Sequence, residues 1–99
     1  MAEHPLKVFE THDAALFNLV EDTRKLATSD GALPRKFKLL IALALDAAHG
    51  ATGGVNSLAR LAMEAGATKE EITETLRVAH YISGVGSIYT AAPALREVF

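Results

Sequence analysis

The chain of 99 residues contains no cysteine and no tryptophan. Without cysteine it can form neither a disulfide bond nor a reactive thiolate, so every mechanism that depends on a thiol is excluded. No hydrophobic run approaches the roughly 18 residues that a membrane-spanning helix needs. The first residues, MAEHPLKVFETHD, also lack the basic start and apolar core of a signal peptide. We therefore expect a cytoplasmic protein that does not enter a membrane.

An excess of positive charge is also missing. The chain has 10 Lys and Arg against 12 Asp and Glu, a net charge of −2 at pH 7, so its electrostatics do not predict nucleic-acid binding. What it does have is a hydrophobic content of 49% with only 6% aromatic residues and many alanines, which favours closely packed helices over a sheet. A chain this short is expected to form one domain that buries only about two thirds of its unfolded surface.

The chain is expected to divide into an N-terminal arm over residues 1–10 and a single helical domain over residues 11–99. Pro5 and the alternating Leu6 and Val8 favour an extended arm. The arm is expected to pack either on the body of the domain or on a neighbouring molecule.

The first helix of the domain is predicted from about residue 13 to residue 27. Thr11 or His12 is expected to start it, and the TSDGALP segment to end it at Gly31. Large apolar residues recur at helical spacing and form a predicted buried stripe: Leu16, Leu19, Val20 and Leu26.

The second predicted helix is apolar nearly all round. Pro34 suits its first position, and from Leu39 onward the chain reads LLIALALDAA. A helix of this kind must be covered on every side, and one small helical domain rarely has enough partners to do so. We therefore predict a homo-oligomer, while a central helix in a monomeric bundle stays open as the alternative.

A third helix is predicted over residues 55–65, between the break at HGATGG and a stop at Gly66. The residues expected to face inward are Val55, Leu58, Ala59 and Ala62. Directly after the stop, Thr68 and Glu71 have the spacing of a capping box, in which each side chain takes a hydrogen bond from the other residue's backbone N–H.

The fourth helix is predicted to run from this capping box to about Ser83. Its apolar stripe is expected to bring one histidine inward together with its other members: Ile72, Leu76, Ala79 and His80. A last helix is predicted over residues 87–98, kinked or restarted at Pro93. Five helices and no strand make the expected fold class all-α.

Two segments, LPRKFKLLIALAL and LARLAMEAGATKEEITETLRVAHYISGVGSIYTAAPAL, resemble the carboxymuconolactone decarboxylase-like superfamily, which includes the AhpD-type alkylhydroperoxidases. The resemblance covers about residues 33–96, and EAGATKEEI is its most specific part. It implies an all-helical, intertwined fold that assembles as trimers or as hexamers built from dimers. This implication agrees with the oligomer predicted from the second helix alone.

The resemblance also implies a redox motif that this chain lacks. In the peroxidatic branch of the family, a Glu precedes a Cys-x-x-Cys at a helix start, and a His follows, so that the helix N-terminus stabilises a thiolate while Glu and His relay protons. With the register set on EAGAT, the Glu position falls on Leu39, the two Cys positions on Ala51 and Gly54, and the His position on Leu58. All four replacements are apolar or small, so thiol peroxidase chemistry is not expected.

The decarboxylase branch of the family also lacks the cysteine pair, and LARLA is similar to its His-x-Arg-x-Ala segment. Arg60 matches the Arg of that segment, but Leu58 again replaces the His. This replacement weakens a decarboxylase interpretation as well.

The remaining candidates for catalysis are Asp46, His49 and His80. Asp46 and His49 are three residues apart at the end of the second helix, so they can share a face and form an acid–base pair. The simpler interpretation is that Asp46 emerges at the helix end and His49 complements the helix dipole. A histidine on an apolar stripe, such as His80, is more often a hydrogen-bonded core or interface residue than a catalytic one.

Candidates for ligand binding surround the start of the third helix, where free backbone N–H groups favour an anion or carboxylate. They are Gly54, Asn56, Ser57, Arg60 and, from the fourth helix, Tyr81. Asn56 and Ser57 also fit an ordinary role as capping residues. The four histidines show no ligand spacing for a metal, the glycines 50, 53 and 54 do not form a phosphate loop, and no cofactor is predicted.

These observations lead to three hypotheses. In the first, the protein is a non-redox family member that binds a small organic acid or acts as a decarboxylase-like lyase, in a pocket between the second, third and fourth helices with His49, Asn56 and His80. In the second, it is a catalytically inactive oligomeric scaffold. The third, alkylhydroperoxidase activity, follows from family membership alone and lacks the sulfur that it needs.

Overall fold

The computed structural model describes residues 4–99, which form six α-helices and no strand. The helices are α1 (Lys7–His12), α2 (Ala14–Thr28), α3 (Arg35–Ala48), α4 (Thr52–Glu64), α5 (Lys69–Ser83) and α6 (Gly86–Val98). The all-α fold class predicted from the sequence is confirmed. Among the described residues, no helix is both long and apolar enough to span a membrane.

The core lies where α3, α4, α5 and α6 meet, and α3 contacts each of the other three. Leu39 and Leu43 of α3 are 1% and 0% exposed, and they belong to one cluster with Val55 and Ala59 of α4 and Ile72 of α5. Alanines in α4 and α6 complete this cluster. Because alanine has a small side chain, the helix axes can approach closely, as the alanine-rich composition predicted.

The turn between α4 and α5 follows the predicted signals. Gly66 has a φ of +102°, a conformation that glycine adopts without strain. The N–H of Ala67 donates to the carbonyl of Ala62 at 2.9 Å, as in a Schellman motif. Thr68 and Glu71 then form the capping box. The backbone nitrogen of Glu71 lies 3.0 Å from the Oγ1 of Thr68, and the backbone nitrogen of Thr68 lies 2.9 Å from the Oε1 of Glu71. The predicted end of the helix at Gly66 and the predicted capping box are therefore both confirmed.

The N-terminal arm differs from the prediction, because residues 7–12 form helix α1 and not an extended segment. His4 supports the start of this helix: its carbonyl accepts from the N–H of Lys7 and its Nδ1 accepts from the N–H of Leu6, each at 3.0 Å. The ring also packs on Phe17 at 5.5 Å between centroids, and its Nε2 contacts a carboxylate oxygen of Glu21 at 3.0 Å. These contacts join α1 to α2.

Helix α2 begins at Ala14, with Asp13 as its N-cap accepting from the N–H of Leu16, so neither Thr11 nor His12 starts it. The prediction that its apolar stripe is buried is wrong for the single chain. Leu16, Leu19, Val20 and Leu26 are all exposed, Leu26 to 81%, and α2 has no buried residue in the described part of the chain. The sequence pattern identified an apolar face correctly, but the rest of the chain covers that face only in part: Val20 is 38% exposed and Leu19 64%.

Helix α3 is buried along one side only. Leu39, Leu40, Leu43 and Ala47 are buried, whereas Phe37, Ile41 and Leu45 on the other side are exposed. The sequence predicts that α3 is covered on every side, and the other helices of the single chain do not cover it in this way. Pro34 is the N-cap of the helix and not its first helical residue.

The remaining helices agree with their predicted positions, with shifts at the ends. Helix α4 begins at Thr52, three residues before the predicted start, and its predicted inward residues Val55, Ala59 and Ala62 are buried while Leu58 packs on the core. Helix α6 continues through Pro93 as one element.

The capping box predicts how stability depends on pH. The pKa of Glu71 lies below its usual value of 4.5, because the backbone N–H of Thr68 donates to the carboxylate and the Lys36 ammonium lies 3.0 Å away. Because the pKa of this carboxyl group is lower in the folded state than in the unfolded state, the unfolded chain takes up the proton first as the pH falls. The Glu71 carboxylate therefore makes its full contribution to the free energy of unfolding above the pKa of the unfolded state. That contribution is lost as the pH falls through the lower pKa of the folded state.

We expect Glu71→Gln to flatten the decline in unfolding free energy between neutral and acidic pH, measured by urea denaturation with circular dichroism. Glu70→Gln is the matched control, because Glu70 is the adjacent exposed carboxylate and its side chain takes no part in the box. If the wild type and Glu71→Gln lost the same stability on acidification, the capping box would not be the source of the effect.

Candidate functional site

The turn between α3 and α4 places the candidate catalytic residues beside the start of α4. His49 caps α3, and Gly50 follows with a φ of +80°. The N–H of Ala51 donates to the carbonyl of Asp46 at 2.9 Å, which closes a Schellman motif. This tight reversal brings the last turn of α3 against the first turn of α4.

Asp46 lies directly against Gly54 at this junction. A Cβ built on residue 54 would overlap the Oδ2 of Asp46 and lie 2.8 Å from its Cγ, so a side chain at this position requires the Asp46 carboxylate to move. Gly54 is in the first turn of α4, where the helix dipole favours a negative charge. The start of α4 is therefore already occupied by a carboxylate of this chain.

The four positions that the resemblance compares with the redox motif lie in α3 and around the first turns of α4. Leu39 is 1% exposed in the core, Leu58 is half-buried against the core, and Ala51 is the N-cap of α4. The Asp46 carboxylate lies in the space beside Gly54. The sequence did not indicate this role of Asp46, because the contact depends on how two helices meet.

The predicted pair of Asp46 and His49 is not joined. His49 is exposed at the end of α3, and within residues 4–99 no hydrogen bond connects its ring to Asp46. Spacing by three residues places two side chains on one helix face only while the helix continues, and α3 ends at Ala48.

Asn56 and Arg60 were predicted to bind a ligand, but Asn56 connects α4 to α6 and Arg60 bonds to Asn56 within α4. The amide of Asn56 donates to the carbonyl of Ala94 at 3.2 Å and to the carboxylate of Glu97 at 3.1 Å. Its oxygen accepts from the Nε of Arg60 at 3.1 Å. The polar groups of Asn56 are therefore engaged within the protein, which leaves it little capacity to bind a ligand.

The other predicted residues lie at the surface. Ser57 and Tyr81 are exposed, Tyr81 to 83%. His80 is also exposed, so the expectation that it points inward is wrong. Helix α5 is buried along a narrow stripe of Ile72, Leu76 and Ala79, and His80 lies at the edge of that stripe.

His80 lines an open cavity of about 370 Å³ between α5 and the start of α6. Its neighbours there include Arg77, and three apolar residues supply the rest of its main lining: Leu76, Val85 and Ile88. No ion pair in the described part of the chain involves Arg77. Sequence analysis missed Arg77, although its spacing of three from His80 on a predicted helix indicates a shared face.

Two further cavities are present. One, of about 350 Å³, lies between the start of α3 and the end of α4. The other is a largely apolar groove of about 730 Å³ between α3 and α5, here named the α3–α5 groove, and it is lined by Leu33, Phe37, Leu40, Ile41, Ala44, Leu45, Glu71, Glu74, Thr75 and Val78. Neither His49 nor Asn56 lines any of the three cavities, so the three residues of the predicted pocket do not share one.

No group of three or more His, Asp or Glu side chains among residues 4–99 could hold a metal ion. The arrangement instead separates two features: a closed junction around Asp46, and an open cavity with two basic side chains.

Comparison with known proteins agrees with this architecture. The family model described as the carboxymuconolactone decarboxylase family matches residues 14–97. The fold is similar to the crystal structure of the apo form of a carboxymuconolactone decarboxylase family protein from Legionella pneumophila, with a TM-score of 0.86 and 36% sequence identity over 92% of this chain and 81% of that chain. No curated protein matches the chain. The two matches confirm the resemblance drawn from the sequence.

The junction makes a prediction about stability. Gly54→Ala is expected to lower the unfolding free energy by about 1–3 kcal/mol, because its Cβ must displace the Asp46 carboxylate. Gly53→Ala is the matched control: a Cβ there meets nothing within 4 Å, so alanine should raise stability by about 0.5–1 kcal/mol. Urea denaturation of both variants measures the difference.

The same substitution in an Asp46→Ala background tests the cause. Once the carboxylate is removed, Gly54→Ala should behave like Gly53→Ala. A cost that persisted without Asp46 would show that the overlap described here does not produce it.

Proposed function

The chain belongs to the carboxymuconolactone decarboxylase family, and on this premise we propose that it is a non-redox, self-associating member that binds a small organic acid. The observation that carries the proposal is the cavity between α5 and α6, where Arg77 and His80 lie beside an apolar lining. At about 370 Å³, the cavity falls at the lower end of the range typical of small-molecule sites.

The chemistry of the cavity favours a monocarboxylate with a short apolar tail. A guanidinium group binds a carboxylate through charge-assisted hydrogen bonds, and an imidazole can donate a further one. Leu76, Val85 and Ile88 offer the tail an apolar surface. Since the chain as a whole has a net charge of −2, this basic pair does not simply reflect a general excess of positive charge.

The start of α4, where we expected an organic acid to bind, is less suitable. The Asp46 carboxylate lies at that helix start, and it would repel a second carboxylate there. Leu39 and Leu58 fill the neighbouring space, and Asn56 is hydrogen-bonded to α6. The proposed site is therefore the α5–α6 cavity.

Binding is favoured over catalysis. A lyase reaction needs a group that transfers a proton near the substrate. Of the three candidates only His80 lines the cavity, and no hydrogen bond among the described residues orients its ring. Peroxidase chemistry needs a thiolate, and the chain has no cysteine.

A second candidate, a catalytically inactive oligomeric scaffold, is favoured by a different observation. Among the described residues, more large hydrophobic side chains are exposed than are buried. This distribution is typical of a subunit that is covered by its own copies, and the family resemblance favours a trimer or a hexamer. Assembly without any carboxylate binding would support the scaffold over the ligand-binding function.

We expect linear monocarboxylates from acetate to hexanoate to bind, measured by isothermal titration calorimetry. Affinity should rise by roughly fourfold for each added methylene that the apolar lining buries, since a buried methylene contributes about 0.8 kcal/mol. The corresponding primary amides should bind more weakly, because they lack the charge that Arg77 recognises.

Arg77→Gln should weaken binding roughly fivefold, the equivalent of about 1 kcal/mol for a partly solvated charged contact. Arg96→Gln is the matched control, because Arg96 is an exposed arginine near the end of α6 that lines none of the three cavities. Equal loss in both variants, or no binding of any carboxylate, would contradict the proposed site.

Peroxide turnover provides an independent test of the non-redox assignment. With a hydroperoxide and a dithiol reductant, the protein should consume peroxide at the rate of a buffer blank, because no side chain can form a sulfenic acid. Catalysed, saturable peroxide consumption by the purified chain would refute the assignment.

A further inference from the structure

We propose that the cavity between the start of α3 and the end of α4 binds a small amino acid in its zwitterionic form. Its volume of about 350 Å³ falls at the lower end of the range typical of small-molecule sites. Arg35 of α3 and Glu64 of α4 line it, so that the carboxylate of the ligand binds Arg35 and its ammonium group binds Glu64. The site shares no residue with the α5–α6 cavity proposed above for an organic acid.

The two unlike charges that line this cavity do not neutralise each other. Among residues 4–99, no ion pair involves Arg35 or Glu64. The cavity therefore has a cation on the α3 side and an anion on the α4 side, and each lacks an ionic partner. A ligand that carries both charges pairs with both residues at once, and the two contacts fix its orientation.

Arg35 is positioned by contacts outside the cavity. The residue is half-buried, and its Nη1 donates to the carbonyl of Thr28 at 3.4 Å. A guanidinium group has five N–H donors, so most of them stay available for a carboxylate, which such a group binds with two parallel hydrogen bonds. Because this side chain is already ordered, it loses less conformational entropy when a ligand binds.

The two other charged residues of the lining have partners. The Nζ of Lys36 lies 3.0 Å from a carboxylate oxygen of Glu71, so the charge of Lys36 is balanced by α5. Asp30 uses one carboxylate oxygen to accept from the backbone N–H of Arg35 at 2.7 Å. A simple carboxylate ligand would be repelled by Asp30 and Glu64, and a simple amine would leave Arg35 unpaired. A zwitterion avoids both costs.

The helix dipoles have the same polarity as these side chains. The cavity lies where the N-terminus of α3 meets the C-terminus of α4, and these ends favour negative and positive charge respectively. In the described part of the chain, the backbone N–H of Lys36 has no hydrogen-bond partner. The α3 side therefore favours the carboxylate of the ligand, and the α4 side, with Glu64, favours its ammonium group.

The rest of the lining limits the hydrocarbon part of the ligand. Pro34, Leu61 and Ala65 complete the cavity, and they offer only a small apolar surface. The ligand is thus an amino acid with a short carbon chain between or beside its charges. Glycine, β-alanine and 4-aminobutyrate meet this description, and they place the two charges at increasing separation.

Titration of the protein with these three amino acids, followed by two-dimensional amide NMR, tests the site. We expect at least one of them to shift the backbone amide signals of Lys36 and Ala65 in a saturable way. Its analogues that lack one charge, which for β-alanine are propionate and ethylamine, should bind there roughly fivefold more weakly or less, because each loses a charged contact.

Two results would overturn the proposal. One is the absence of a saturable shift at these amides with any of the three amino acids. The other is equally tight binding of the matched amine or carboxylate. Propionate that binds the α5–α6 cavity shifts the amides of Arg77 and His80 instead, so the two proposed sites can fail independently.

Arg35→Gln and Glu64→Gln should each weaken binding of the amino acid roughly fivefold, whereas Arg35→Lys, which keeps the charge, should retain most of the affinity. Arg96→Gln and Glu70→Gln are the matched controls, because neither residue lines a cavity described above. Equal losses in the controls would contradict the assigned contacts. Helical content by circular dichroism checks that each variant is folded.

Discussion

The contact between the end of α3 and the start of α4 constrains the chemistry that is open to this chain. Gly54 has no side chain, so the Asp46 carboxylate can lie on the first turn of α4, where the helix dipole favours it. In the same region, Leu39 is buried and Leu58 packs on the core. A cysteine at position 54 would therefore need Asp46 to move. Thiol chemistry is absent because the chain has no cysteine, and the Asp46 carboxylate occupies the space beside Gly54.

The family's fold is present in a chain that has no cysteine, and a fold does not by itself specify an activity. The structural match to a family member from Legionella pneumophila, with a TM-score of 0.86 over 92% of this chain, reflects the course of the backbone and not any catalytic side chain. Asn56, predicted as a ligand-binding residue of α4, donates to the carbonyl of Ala94 in α6. The open cavity with Arg77 and His80 lies between α5 and α6, and Asp46 and Gly54 do not line it.

The distribution of apolar side chains explains how so short a chain can be stable. A small domain buries a limited fraction of its surface, and the core of this chain consists mainly of leucine and alanine. Its phenylalanines and several of its isoleucines, leucines and valines lie outside that core. Burying them between copies would add to the hydrophobic stabilisation that the single chain lacks, so the proposed assembly and the stability of the fold have the same physical origin.

The sequence by itself determined the helical fold class, the helix ends marked by Gly66 and the Thr68–Glu71 capping box, and the exclusion of thiol chemistry. These features depend on local hydrogen bonding and on which atoms are present, so neighbouring residues suffice to specify them. Only the tertiary structure decided that α1 is a helix, that His80 and the stripe of α2 are exposed, and that Asp46 lies against Gly54. Hydrophobic periodicity identifies an apolar helix face, but what covers that face depends on distant elements or on another molecule. For the same reason the candidate site was predicted only in part: His80 was identified, whereas its neighbour Arg77 and the position of the cavity depend on how α5 and α6 pack.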